Sequence, residues 1–341
     1  MGMTPMKDKE LYPLKFVPAY KTRIWGGDQL KTVLKREVPQ SGEPVGEAWE
    51  LSDRDDVNSI VANGPLAGKT IRELVTEYGV ALLGRRCRDL SRFPLLVKLI
   101  DAGERLSLQV HPDAGSCAKL GHGAEPKTEM WYVVAAKRGA KIFAGLRPRA
   151  TRLRLESCLA ASADEIESQL QIYESVPGDA YYIPSGTVHA IGAGNLLLEI
   201  QQNSDTTYRL SDWGRKDANG KSRELHIVQG MTAIDFTNRV SPRIAGAINT
   251  AKHNRKFDVI RMCPHFNVSD LRLISRWNDT TANDSSFHLL CAVNAPIEVT
   301  AKNGSPVRLE PGESVLIPAN LGAYTVDPLA EGECTVVKTM L

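Results

Sequence analysis

The sequence predicts a mainly β fold, built as two jelly-roll β-barrel modules with short helical insertions, and three observations carry that expectation. First, short β-rich runs bounded by Gly, Pro or Asn recur along the chain: KIFAG, AYYIP, NLLLEIQQ, FHLLCAV, PIEVTA and SVLIP. Second, PGDAYYIPSGTVHAI (177–191) and PGESVLIPANLGAYT (311–325) align without a gap. Pro177-Gly178-Asp179 matches Pro311-Gly312-Glu313, and Ile183-Pro184 matches Ile317-Pro318. A shared Pro-Gly turn arises easily by chance, whereas the Ile-Pro at the same offset points to two related β modules. Third, capped helical patterns stand out in two places only, about 68–90 and 160–172. The expected division is therefore 1–235, with both insertions, and 236–341.

Taken in order, the chain opens MGMTPMKDKELYPLKF, charged and without an apolar core segment, so neither a secretory signal nor a membrane anchor is expected. In TIRELVTEYGVALLG, Thr70 and Glu73 have capping-box spacing ahead of Ile71, Leu74, Val75 and Tyr78. LSLQVHPD (106–113) alternates: Leu106, Leu108 and Val110 on one face of an extended chain, Ser107, Gln109 and His111 on the other. KTEMWYVV (127–134) sets Lys127, Glu129 and Trp131 on a common face by the same rule. SADEIESQLQIY repeats the capping device with Ser162 and Glu165 before Ile166 and Leu170. In the second module Ala323 stands where the first has His189, so that module is expected to lack the first module's site.

Forty-two Lys and Arg against 40 Asp and Glu leave a net charge of +2, with the basic residues scattered. Nucleic-acid binding needs them clustered on one face, so no nucleic-acid or membrane partner is expected, while one or two cations still suffice to hold a phosphate. Cys87, Cys117, Cys158, Cys263, Cys291 and Cys334 are widely spaced with no CxxC pair, which reads as ordinary thiols in a reducing cytoplasm rather than a zinc ribbon.

GDAYYIPSGTVHAIG is the most specific motif. Gly178, Pro184 and Gly186 shape tight turns, and His189 returns on a strand, with the spacing of the second cupin motif. A lone strand histidine is ordinarily structural; this frame makes His189 a candidate ligand. Gln109, His111 and Glu129 supply an N/O donor set with it, which suits a borderline divalent cation such as Zn²⁺. The set contains no Cys and includes a weak amide ligand, so an open, catalytic site is expected rather than a structural one. His122, His226, His253, His265 and His288 lack such a frame and read as structural or surface residues.

LSLQVHPD, KTE, YIPSGTVHAIG and LEIQQNSDTTYR together resemble the type I mannose-6-phosphate isomerases in their shorter bacterial form. IWGG (24–27), GEAWELS (46–52) and FPLLVKLIDAG (93–103) agree, so the resemblance runs in order over most of 10–230. It implies a cupin barrel binding one zinc per chain through Gln109, His111, Glu129 and His189. It also implies interconversion of mannose 6-phosphate and fructose 6-phosphate through a cis-enediol. A monomer or weak homodimer is expected. Lys127, Arg209 and Glu199 then fall in catalytic positions, and Lys98, Ser107, Asp205 and Arg215 in substrate-binding ones. Lys127, two residues from a metal ligand, is expected to have its pKa lowered by the cation and to serve as the acid/base. For Arg209 with Asp205, a simple surface salt bridge is the plain alternative. The sequence departs from the longer family members in two places: Arg209 is followed by LSDWGRK, which puts Arg215 where they carry a lysine, and Pro126 replaces a histidine.

Two rival functions share these residues. His111, Glu129 and His189 also form the two-His-one-carboxylate set of an iron-dependent cupin oxygenase. A sugar-binding cupin without catalysis is the other, and it is opposed by the complete ligand set together with Lys127 and Arg209.

Overall fold

The computed structural model describes residues 10–40, 42–121, 123–216, 219–238, 240–246, 253–261, 263–281, 285–302 and 304–341. The opening residues 1–9 and His122, both read above, lie outside them. The chain divides into two compact units, one of Tyr20–Trp49 and Leu96–Ala247, the other of Met1–Ala19, Glu50–Leu95 and Ile248–Leu341. A single cut after 235 is therefore not what the contacts give. The 68–90 segment belongs with the C-terminal barrel because its backbone is tied there. Ala319 and Asn320 donate to the carbonyls of Leu82 and Ala81, each at 3.0 Å.

The first unit carries two sheets. One has seven strands in the order Arg243–Ile244, Ala180–Ile183, Glu129–Ala136, Asn195–Gln202, Leu95–Ala102, Val45–Leu51, Ala19–Thr22. The other has five, in the order Tyr208–Ser211, Leu108–Val110, His189–Ile191, Lys141–Leu146, Leu170–Glu174. Trp131, Val133, Tyr181, Ile183 and Leu197 of the larger sheet meet Ile142, Ala144 and Ile191 of the smaller in one buried cluster. Each of the larger side chains among them, taken out of water, contributes about 1.5–3 kcal/mol. On the outer face of the smaller sheet, Leu108, Val110, Phe143, Ala190 and Leu210 pack under helices Arg152–Leu159, Ala163–Ser168 and Ile227–Ala233. The last helix approaches so closely that a Cβ on Gly230 would stand 2.5 Å from Leu210 Cδ2. Apolar residues thus cover both faces of this sheet, and its inner face is where a site can form.

The second unit holds a six-stranded and a four-stranded sheet, with Leu271, Leu290, Ile297, Val299, Val315, Val326 and Val336 buried between them. Helix Ile71–Tyr78 has both halves of its capping box. The Thr70 hydroxyl accepts from the Glu73 backbone N–H, and the Glu73 carboxylate accepts from the Thr70 backbone N–H. The 160–172 helix is shorter than expected: it ends at Ser168, and Leu170–Glu174 is a strand. Leu170 is drawn into the cluster under the smaller sheet and pairs with Leu146, a tertiary demand that overrides local helix propensity.

Candidate metal centre

Register brings the expected ligands together. His189 lies directly opposite Gln109, which lies opposite Arg209, so the three share the inner face of the five-stranded sheet. On the facing sheet Glu129 pairs with Ile183 and Gln201, and Trp131 pairs with Glu199. The motif loop stitches these strands. Gly186, in the left-handed region at φ 83°, donates its N–H to the His111 carbonyl at 2.8 Å. Ser185 Oγ donates to the Lys127 carbonyl at 3.0 Å.

Ligand atoms of His111, Glu129 and His189 lie within 4.8 Å of one another, all buried. His111 Nε2 is 3.2 Å from Glu129 Oε2, and His189 Nε2 is 3.4 Å from Oε1. The far ring nitrogens fix the tautomers. His111 Nδ1 lies 2.9 Å from the Thr206 carbonyl and His189 Nδ1 lies 2.8 Å from the Thr187 carbonyl. A carbonyl only accepts, so each Nδ1 carries the hydrogen and each Nε2 presents a lone pair inward. Burial lowers the pKa of His111 and takes His189 down to about 3, so both rings are neutral. Lone pairs of two imidazoles therefore face an ionised carboxylate, whose pKa Lys127 and then His111 hold well down against burial. His111 Nε2 and Glu129 Oε1 are buried without a hydrogen-bond partner. Acceptor facing acceptor in a dry site is unfavourable unless a cation lies among them. The donor set fits a divalent metal on that ground. Gln109, the fourth expected ligand, stands beside this set: its amide Nε2 is 3.1 Å from His189 Nε2, with Ser107 Oγ 3.5 Å from the amide oxygen.

Around this set the barrel interior is polar at one end and apolar below. The Trp131 ring meets His189 edge-on at 5.2 Å and forms the floor, and its Nε1 donates to Glu199 Oε2 at 2.9 Å. Lys98 Nζ lies 3.5 Å from Glu199 Oε1 and 4.8 Å above the Trp49 ring. Lys127 Nζ pairs with Glu129 Oε2 at 2.9 Å. The expected downward shift of Lys127 depends on the cation; the protein's own charges act in the opposite direction. Burial presses its pKa down, but Glu129 and then Glu199 outweigh it, and the ammonium is held. Burial, and then the Glu129 charge, push the Glu199 carboxyl up.

Arg209 and Asp205 are not an ion pair. Asp205 is exposed, while Arg209 Nη1 donates to the Glu224 carbonyl at 2.7 Å. Arg215 is tied to Asp212 at 3.9 Å, to Glu104 at 3.6 Å and to the Arg105 carbonyl. Leu106 does not share the face of Leu108 and Val110. It precedes the strand, which begins at Leu108, and joins the inner cluster. Sequence reasoning did not bring out the Arg23–Glu47–Trp49 group beside Lys98. Arg23 grips Glu47 through two bonds of 3.0 Å, and Trp49 Nε1 donates to the same carboxylate at 2.7 Å. The alternation in GEAWEL, which sets Glu47 and Trp49 on one face, was the available signal.

Residues 13–139 match the family of the phosphomannose isomerase type I catalytic domain. The chain is 36% identical over 329 residues to the mannose-6-phosphate isomerase ManA of Bacillus subtilis, covering 94% of this chain and 97% of that protein. It is 39% identical over 223 residues to a mannose-6-phosphate isomerase of Streptococcus mutans, covering 65% and 67%. Its fold matches the crystal structure of a mannose 6-phosphate isomerase from Bacillus subtilis with TM-score 0.83 and 31% identity, over 96% of this chain and 99% of that one.

Proposed function

This chain belongs to the type I phosphomannose isomerases, and we propose that it interconverts mannose 6-phosphate and fructose 6-phosphate at the His111–Glu129–His189 centre with one zinc ion per chain. The observation that carries the metal is the convergence of unpartnered lone pairs on a buried point. Gln109, His111, Glu129 and His189 would hold the ion, and nitrogen and oxygen donors without a thiolate suit zinc. Bound there, it supplies a redox-inert Lewis acid for the sugar's carbonyl oxygen and offsets the Glu129 charge that otherwise keeps Lys127 protonated.

Aldose–ketose isomerisation moves one proton between C2 and C1 through a cis-enediol and leaves the electron count unchanged. Lys127 is the proposed carrier of that proton. Its Nζ is buried beside the ligand carboxylate, and an ion that offset the Glu129 charge would remove the largest of the influences that hold its pKa up. Glu199, with its carboxyl pushed up, is the proposed partner that gives and regains a proton at a substrate oxygen. Lys98 and Trp131 orient that carboxyl. The Trp131 floor, with Val133, Ile142 and Leu197 behind it, excludes bulk water and strengthens these charges. Ser107, Arg209 and Arg215 are assigned to the hydroxyl-bearing and phosphate ends of the substrate, and Asp205, exposed at the rim, to its approach.

Among the described residues no helix is long and apolar enough to cross a membrane. Six free cysteines support placement in the reducing cytoplasm, and the chain is proposed to act as a monomer or weak homodimer. The test is fructose 6-phosphate production from mannose 6-phosphate before chelation, after it, and with zinc returned. Loss and recovery of turnover are expected, under strict anaerobiosis too, since no oxygen is consumed. An inactive, folded, zinc-loaded protein would overturn the proposal.

A further inference from the structure

Trp213 lies in the LSDWGRK run that departs from the longer family members, and its backbone is unusual. At φ 57° it occupies the left-handed region, which residues with a Cβ seldom adopt and which often marks a functional constraint. Three contacts hold it there. Its indole Nε1 donates to the Leu106 carbonyl at 2.7 Å. The Arg105 guanidinium stacks 3.7 Å from the indole centre, and Phe143 packs alongside at 6.1 Å. Arg215, two residues on, returns a hydrogen bond to the Arg105 carbonyl, and Arg105 is itself ion-paired to Glu167.

Segments 105–106 and 213–215 thus clasp each other, the first through its two backbone carbonyls and the Arg105 side chain, the second through the Trp213 and Arg215 side chains. The clasp sits at a telling place. Ser107, Gln109 and His111 follow the first segment directly. The second follows the Tyr208–Ser211 strand, whose pairing with Leu108–Val110 shifts by one residue between Arg209 and Ser211. Such a shift re-aims side chains, and here it leaves Arg209 opposite Gln109 on the inner face.

The same region sets three guanidiniums, of Arg209, Arg215 and Arg223, against two carboxylates. Asp212 takes Arg223 through bonds of 2.8 and 2.5 Å and lies 3.9 Å from Arg215, which Glu104 approaches at 3.6 Å. Arg209 has no carboxylate partner. Arg209 Nε and Arg215 Nη1 are buried donors with no acceptor. Donors and charge left over in one place suit a dianionic phosphate ester.

We propose that Trp213 is a positioning residue that sets the grip of the site on its substrate's phosphate, acting through Arg209 and Arg215. This rests on the phosphosugar reading of the site. The test compares wild type with Trp213→Phe and Trp213→Ala. It reads kcat and KM for mannose 6-phosphate, bound zinc, and, by calorimetry, the dissociation constant of inorganic phosphate, which needs no turnover. Phenylalanine keeps a ring over Arg105 but removes the bond to Leu106. KM and the phosphate constant should then rise together about three- to tenfold, the worth of one hydrogen bond, with kcat within twofold and one zinc retained. Alanine should raise both further. The proposal is overturned if both constants stay within twofold of wild type in the Phe variant, or if kcat and zinc fall while KM holds. Should the Ala variant fail to fold, the Phe variant decides. A wild type that binds phosphate but turns over no mannose 6-phosphate would instead sink the isomerase reading, and the phosphate constants would still judge Trp213.

Discussion

In the barrel that holds the metal centre, His189 pairs across the sheet with Gln109, and Glu129 pairs with Ile183. In the C-terminal barrel, Tyr324 pairs with Asp279, and His288 pairs with Ile317. Glu199, opposite Trp131, has its counterpart in Lys338, opposite Leu290. The positions correspond; the chemistry does not. In the first barrel, imidazole lone pairs face a carboxylate and leave buried acceptors unpartnered. In the second, donors meet acceptors. His288 Nδ1 and Tyr324 Oη lie 2.8 Å apart, and Lys338 Nζ lies 2.6 Å from Asp279 Oδ2. One interior leaves acceptors for a cation to complete; the other pairs its donors with acceptors.

The sharpest way to break this comparison is to remove matching residues. His189→Ala should cost at least about 10³-fold in kcat, the several kcal/mol a Lewis acid contributes, and should abolish tight metal binding. Lys127→Met should cost about 10²–10⁴ in kcat, the range of general acid–base catalysis, while the zinc content holds. Full turnover by a zinc-loaded Lys127→Met protein would remove it from the proposed mechanism. Lys338→Met, at the place of Glu199, should leave kcat within twofold. It should lower stability to denaturant by about 2 kcal/mol, because the half-buried Asp279 loses its ammonium partner and keeps the weaker Trp277 Nε1 and Thr280 N–H donors. A large fall in kcat with unchanged stability would show that the second barrel takes part in catalysis.

Acid should act on both barrels of the metal-free protein. Burial takes His189 and His288 alike from 6.5 to about 3. Between those values the unfolded imidazole binds a proton that the folded one refuses, so stability rises with pH there. The contribution is complete above about pH 6.5 and is lost as pH falls toward 3; a flat denaturation profile over that window would contradict it. Smallest of all, Tyr324→Phe should cost about 1 kcal/mol, one buried hydrogen bond, with activity untouched.

The catalytic barrel was legible where local rules sufficed. The Gly-Pro-Gly frame marked His189, and period-two alternation put Gln109 beside His111 and Lys127 beside Glu129. What was illegible depended on partners far along the chain. The Thr206 carbonyl that fixes the His111 tautomer is 95 residues away. The surplus of carboxylates that holds Lys127 protonated includes Glu199, which only sheet pairing brings near. Leu106 was misassigned because alternation holds only inside a strand, and the strand begins two residues later. The gap-free alignment set Ala323 at the place of His189, but Ala323 is exposed, and Tyr324 points inward. A slip of one residue reverses every face, and sequence matching does not sense the pleat.

The most direct test of the account is a zinc titration of the metal-free protein, followed by calorimetry, for wild type, His189→Ala and His288→Phe. The account predicts one tight zinc per chain in wild type and in His288→Phe, and none in His189→Ala. Two ions per chain, or one that survives His189→Ala and is lost with His288→Phe, would contradict it.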